Sequence, residues 1–328
     1  MSTQQSVNTA NTAANTAANN TAKNTAKNTV SEAAPSQWLD VTAIVVCTLC
    51  WGTTWFAITL QLGVVDPVVS VVYRFAFAAV LLFAWCALRG EKIALTRAQH
   101  LAAFGVGFST FTINYTLVYW AEERVTSAVV AVVFATMAFA NLIGFRIAFG
   151  QRPSRIAWAA ASLGVAGVAL LSWEEIAFAQ FGARAVSGIL LTLTGVTAAV
   201  VGNIFARRGE VAGAGVASST AWAMAYGALA LGLFALATGK VWSIQPTWGY
   251  VLSFLHLSVN GSVVAFLMYY GLARRRGYAT ASYVSALAPV LAMGMSSLFE
   301  AKSWGFMALG GVILALTGQV LFLRTRRA

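Results

Sequence analysis

The chain of 328 residues is 59% hydrophobic and only 9% charged, with a mean hydropathy of +0.73. A soluble globular domain carries about 25% charged residues, so this composition excludes an ordinary water-soluble fold. The formal charge of +11 would suit a nucleic-acid partner, but none is expected, because the charges sort along the chain in the manner of membrane topology.

Residues 1–36 repeat Asn, Thr and Ala with almost no large apolar side chain. Such a segment cannot bury enough surface to offset its ordering entropy, and it is predicted to be a disordered tail. It lacks an apolar h-region, so it is not a secretory signal peptide, and the first membrane helix is expected to direct insertion. Ten apolar runs follow, near 41–60, 67–88, 101–120, 125–145, 156–172, 186–206, 214–237, 249–272, 278–298 and 304–323. A membrane-crossing helix needs roughly 20 apolar residues. Barrel strands need only about 10 alternating residues, and these runs are longer and do not alternate. The predicted fold class is all-α: a polytopic membrane protein with ten transmembrane helices.

With the N-terminus placed in the cytoplasm, the inner segments hold Lys23, Lys27, Arg89, Lys92, Arg97, Arg146, Arg152, Arg155, Arg207, Arg208, Arg274, Arg275, Arg276, Arg324, Arg326 and Arg327. The outer loops hold only Arg124, Arg184, Lys240 and Lys302, and Arg74 lies within a span. This bias predicts a multi-pass protein of the cell (plasma or inner) membrane with both termini cytoplasmic. Membrane lipid is then an expected partner, anionic lipid included. The three cysteines, Cys47, Cys50 and Cys86, all sit in apolar runs. They read as small hydrophobes rather than as a metal or redox site.

The chain resembles itself at a shift of about 150 residues. Trp51-Gly52-Thr53-Thr54-Trp55-Phe56 aligns with Val201-Gly202-Asn203-Ile204-Phe205-Ala206, and Leu117-Val118-Tyr119-Trp120-Ala121 aligns with Leu267-Met268-Tyr269-Tyr270-Gly271. Ala160, Gly164 and Gly167 match Gly311, Ala315 and Gly318. The predicted halves are 37–184 and 185–328, with five spans each. Five is odd, so the second half enters the membrane inverted. Inverted repeats belong to transporters that bind substrate between the halves and alternate access to it.

Four segments then carry a family resemblance. They are Cys50-Trp51-Gly52-Thr53-Thr54-Trp55, then Pro67 with Arg74, then Asn114-Tyr115-Thr116-Leu117-Val118-Tyr119-Trp120-Ala121-Glu122, and finally Ala288-Pro289-Val290-Leu291-Ala292 with Glu300. Over residues 40–323 the chain resembles the EamA-type permeases of the drug/metabolite transporter superfamily. The resemblance implies ten helices around a central cavity and export or exchange of small metabolites, often amino acids or related compounds. Ala138 stands where the second half has Pro289, and Gln151 where it has Glu300. The first-half hairpin is therefore expected to be less kinked and to lack a loop carboxylate.

Polar side chains inside a membrane usually face the bundle interior. Asn114, Asn141, Asn203 and Asn260 are candidate substrate ligands, with interhelical hydrogen bonding as the alternative for each. Asn114 stands in the run of Ser109, Thr110, Thr112, Tyr115, Thr116 and Tyr119. Trp51, Trp55, Tyr115, Tyr119, Tyr269 and Tyr283 could wall an amphipathic pocket or simply pack, and Thr53 joins the candidate contacts. Arg74 anchors a substrate carboxylate in one reading. In the other it is structural, paired or snorkelling, with Asp66 about 12 Å away along the helix. Pro289 is a candidate hinge, since it removes a backbone donor inside a span. Gly52 and Gly202 read as packing residues, and Trp173, Trp242, Trp248 and Trp304 as an interfacial belt.

No Asp or Glu lies at the centre of a span, and His256 is the only central proton-coupling candidate. With Arg74 the single intramembrane cation, phosphorylated substrates rank low; neutral or zwitterionic metabolites rank high. No catalytic residues, metal or cofactor are expected, because the sequence offers no paired nucleophile and base or metal cluster. Export is the favoured direction, with uptake or bidirectional facilitation as the alternative and a non-transporting scaffold as the remote one. The chain is expected to be a monomer or a homodimer, since small-residue stripes serve either kind of packing.

Overall fold

The computed structural model describes residues 37–63, 65–178, 182–281, 283–299 and 305–324. The tail predicted to be disordered, Glu300, Lys302 and Trp304 lie outside them. The chain divides into Met1–Val41 and Thr42–Ala328, and the second unit holds the elements that build the site.

Among the described residues every element is helical. In chain order they are α1 (Gln37–Thr59), α2 (Pro67–Leu88), α3 (Arg97–Val106), α4 (Tyr115–Glu122), α5 (Ser127–Phe134), α6 (Met137–Phe149) and α7 (Arg155–Phe178). Then come α8 (Gly182–Val211), α9 (Val216–Ala237), α10 (Trp248–Leu255), α11 (Ala265–Arg276), α12 (Tyr278–Ala281), α13 (Tyr283–Phe299) and α14 (Phe306–Arg324). Local chemistry sets several ends. Asp66 caps α2 by accepting from Val68 N at 2.9 Å, with Pro67 in the first turn, where its missing donor costs nothing. Thr96 and Gln99 form a reciprocal capping box at the start of α3. Gly150, at φ 66°, closes α6 in the left-handed conformation.

Among the described residues, seven helical stretches are long and apolar enough to cross a membrane: Gln37–Thr59, Pro67–Leu88, Arg97–Glu122, Ser127–Phe149, Gly182–Val211, Val216–Ala237 and Trp248–Arg276. Shorter apolar stretches cover Leu287–Phe299 and Phe306–Gly318. The longer stretches carry Val80, Leu88, Leu101, Ile147, Leu229 and Leu236, all exposed. Surface of that kind is stable against lipid and unstable against water. The protein is a multi-pass membrane protein.

Two spans are not uniform. A π-helical segment, Gly107–Asn114, joins α3 to α4, and a second, His256–Val264, joins α10 to α11. Both are rich in Gly, Ser, Thr or Asn, and both exchange a side-chain-to-backbone hydrogen bond with another helix. Thr112 Oγ1 donates to Gly227 O at 3.0 Å, and Trp51 Nε1 donates to Gly261 O at 3.1 Å.

The Ser127–Phe149 span departs from expectation. Ala138 predicts a straighter first-half hairpin, yet the helix breaks at Ala135–Thr136, between α5 and α6. The Thr136 hydroxyl donates to Val133 O at 2.7 Å, and the amides of Ala135 and Thr136 bond three residues back. A tightened turn closed by a threonine thus interrupts the span without proline.

Asp66 does not pair with Arg74; it forms an ion pair with Lys240 at 2.9 Å. Arg184 Nη2 donates to Glu123 O at 2.5 Å. The small-residue stripe of α7 lies against α14 within the chain. A β-carbon at Gly167 would strike the Gly311 carbonyl, and one at Gly318 would strike the Ala160 carbonyl.

Candidate functional site

Helix α1 presents Trp51, Thr54, Trp55 and Ile58 at i, i+3, i+4 and i+7, a single helical face, to a buried cavity of about 60 Å³. The first π segment adds Thr110 and Asn114, and α4 adds Tyr115 and Val118. Ala131, Phe134 and Met137 come from the broken span; Ala199 and Asn203 from α8; Phe266, Tyr269 and Tyr270 from α11; Ser285 and Ala288 from α13. The wall is mostly aromatic and aliphatic, and no lining residue is ionisable as a carboxylate, lysine or arginine. The cavity holds only a few water-sized molecules, so a metabolite needs its walls to move apart.

Three polar atoms on this wall have no hydrogen-bond partner among the described residues: Trp55 Nε1, Thr110 Oγ1 and Asn114 Oδ1. Asn114 and Thr110 are almost fully buried. A buried polar group without a partner costs about 1–3 kcal/mol, and a bound polar solute or water would recover it. The site therefore offers one aromatic N–H, one hydroxyl and one amide to a ligand. Close packing fixes their places. A β-carbon at Gly202 would collide with Thr110 Oγ1, and one at Gly195 would come within 3.2 Å of Asn114 Oδ1.

Of the residues predicted to contact substrate, Trp51, Trp55, Asn114, Tyr115, Asn203 and Tyr269 meet at this cavity. Trp51 is already bonded to Gly261 O, so its indole N–H is committed. Asn203 Nδ2 donates to Asn141 Oδ1 at 3.2 Å and to Tyr269 OH at 3.3 Å. Asn141 lies one bond behind the cavity and lines a second one instead. Tyr119 is fully buried away from the lining and donates to Gln61 Oε1 at 2.9 Å. Thr53 and Asn260 form a separate cluster with His256, at 2.9 Å and 3.1 Å from its two ring nitrogens. Arg74, with 0% exposure, is also absent from the lining. Its Nε donates to Ser262 Oγ at 3.0 Å, and its guanidinium carbon sits 4.6 Å from the Tyr115 ring centroid. The Tyr283 side chain lies outside the described residues. Pro289 is inside α13, next to the lining residue Ala288.

Thr54, Phe134, Phe266 and Ser285 line the cavity but were not singled out from the sequence. Thr54 could have been found from the i, i+3, i+4 face it shares with Trp51 and Trp55. Thr110 stood in a polar run without a mark to separate it from Ser109 or Thr112. The remaining three become neighbours of the site only through helix packing.

Beyond this cavity lies a wider, partly open vestibule of about 420 Å³. Asn141, Phe145, Arg152, Ser154, Arg207, Arg274 and Tyr278 are among its walls. The Asn141–Asn203 hydrogen bond joins the lining of the vestibule to that of the buried cavity.

Comparison with known proteins agrees with this architecture. The chain is similar to the uncharacterized inner membrane transporter YedA of Escherichia coli (strain K12), at 26% identity over 84% of this chain and 89% of the relative. It is similar to Protein PagO of Salmonella typhimurium (strain LT2), at 28% identity over 39% of this chain and 42% of the relative. One solved crystal structure shares its fold, with a TM-score of 0.69 and 17% identity over 89% of this chain and 99% of the other. The model of the EamA-like transporter family matches residues 38–173 and 186–324. These matches span most of the chain, and the protein is a multi-pass membrane transporter belonging to the EamA-like transporter family.

Proposed function

We propose that the chain carries small neutral or zwitterionic organic metabolites, amino acids and related compounds among them, outward across the cell membrane. The observation that carries this reading is the unpartnered trio of Trp55 Nε1, Thr110 Oγ1 and Asn114 Oδ1 in an aromatic wall without formal charge. A few convergent polar groups on an apolar surface suit a small organic solute. The described lining of this cavity holds no Lys or Arg, which disfavours phosphorylated substrates there.

Alternating access between two inverted five-helix halves accounts for the arrangement. In support, the two π segments start 149 residues apart, at Gly107 and His256. Equivalent contacts also recur: α1 reaches the second π segment through Trp51 and Gly261, and α8 reaches the first through Gly202 and Thr110. Pro289, inside the continuous helix α13 beside Ala288, removes a backbone donor next to the cavity, and the break at Ala135–Thr136 lies beside Phe134 and Met137. These are the proposed hinges. His256 bonds to Thr53 and Asn260 away from the cavity lining, which favours transport without a proton relay through it.

The test is flux from purified protein in liposomes, using pooled labelled amino acids and related metabolites, with and without an imposed pH gradient. Movement of a neutral or zwitterionic solute, indifferent to the gradient, is the expected result. No movement of any member of the pool would refute the substrate class, and acceleration by the gradient would restore proton coupling.

A further inference from the structure

We propose that the vestibule beside the buried cavity is a binding site for the carboxylate of a small soluble solute. This deepens the transport reading, since it assigns the charged end of the substrate to a place the uncharged cavity does not provide. Three arginines from distant parts of the chain converge there: Arg152 before α7, Arg207 near the end of α8 and Arg274 near the end of α11. No Asp or Glu is among the residues that line it.

Two of the three have structural employment. Arg207 pairs with Glu210, and Arg274 Nη1 donates to Ala214 O, besides offsetting the negative end of α11. Arg152 is different: among the described residues it makes no ion pair and no hydrogen bond. Ser154, also on the wall, accepts from Ala157 N at 3.1 Å at the start of the 24-residue α7. The positive end of that helix dipole therefore opens on the same space. Tyr278 adds a phenol to the wall, and Asn141 adds an amide.

Arginine holds a carboxylate through parallel N–H donors, and a concave site concentrates the field of its charges. A cavity of about 420 Å³ has room for a metabolite, and Asn141 on its wall is bonded to Asn203 on the wall of the buried cavity. A carboxylate seated here lies against the partition it must pass. An anionic lipid headgroup offers the same chemistry. The polar Asn141 partition behind the arginines favours a soluble solute over an acyl chain.

The probes are radiolabelled nicotinate and its uncharged isostere nicotinamide, with binding measured by scintillation proximity on the full chain in phosphatidylcholine nanodiscs. Nicotinate is expected to bind more tightly than nicotinamide and to weaken as salt rises. Arg152→Gln should weaken nicotinate about fivefold, the scale of one exposed charge contact of about 1 kcal/mol. Arg146→Gln removes an equal charge outside the vestibule lining and should leave nicotinate binding unchanged. If Arg274→Gln fails to fold, Arg152→Gln still decides, because no internal bond depends on Arg152. Equal binding of the two probes overturns the site, as does an equal effect of both glutamine variants. Displacement of nicotinate by phosphatidylglycerol discs would make the occupant a lipid and overturn the solute reading. Binding is read without flux, so each proposal fails separately. Arg152-dependent binding without flux would refute transport of this solute class alone, and flux without anion binding would refute the vestibule alone.

Discussion

Asn114 and Arg74 are both buried polar residues inside membrane spans, and their surroundings separate their roles. Asn114 Oδ1 has no partner and borders a cavity, whereas Arg74 is packed on Tyr115 and bonded to Ser262 away from it. Asn114→Ala should raise the KM for the transported solute about tenfold, the worth of one hydrogen bond in a dry site. Membrane abundance should stay normal, and unchanged kinetics would remove Asn114 from the site. Arg74→Gln should cost about 2 kcal/mol of stability, because the charge-assisted bond to Ser262 is lost inside the protein. A lowered Tm in detergent with an unaltered KM is the expected outcome. A raised KM at an unaltered Tm would return Arg74 to the substrate. The sequence marked both residues as notable, but only their neighbours distinguish an unused acceptor at a cavity from a cation stacked on an aromatic ring and bonded to Ser262.

Helices α7 and α14 meet where their side chains are smallest. The stripe of Ala160, Gly164 and Gly167 was legible as a packing surface, but a partner chain and a partner helix would read alike. The structure places it against Gly311, Ala315 and Gly318 of α14. Gly318→Val should destabilise the protein by about 2 kcal/mol, since the added atoms meet the Ala160 backbone rather than a movable side chain. A Tm equal to that of the unmodified protein would show that α7 and α14 are not packed this closely. The π segments and the break at Ala135–Thr136 were not legible. A π turn and an α turn use the same residue types, and the choice depends on what bonds to the displaced carbonyls, such as Trp51 at Gly261. Likewise the lack of a proline at Ala138 said nothing about Thr136, whose hydroxyl tightens the turn.

At the scale of the molecule, the sorting of Lys and Arg predicts which ends share a side of the membrane. Contacts join segments of like assignment: Lys240 with Asp66, Arg184 with Glu123, Gln99 with Ala212. Cysteines placed at Lys240 should react with an impermeant thiol reagent from outside, and those at Arg275 only from inside. The reverse pattern would invert the topology. Length, composition and apolar run length determined by themselves that this is an all-helical membrane protein, because hydrocarbon demands satisfied backbone bonds over a fixed thickness whatever the neighbours are. The ordered motifs also determined its family. Which polar residues share a cavity was decided by the tertiary structure alone. Trp55 lies on α1 and Thr110 and Asn114 on the first π segment, far apart in the chain, and whether a polar atom is satisfied depends on a partner that arrives only when distant helices pack.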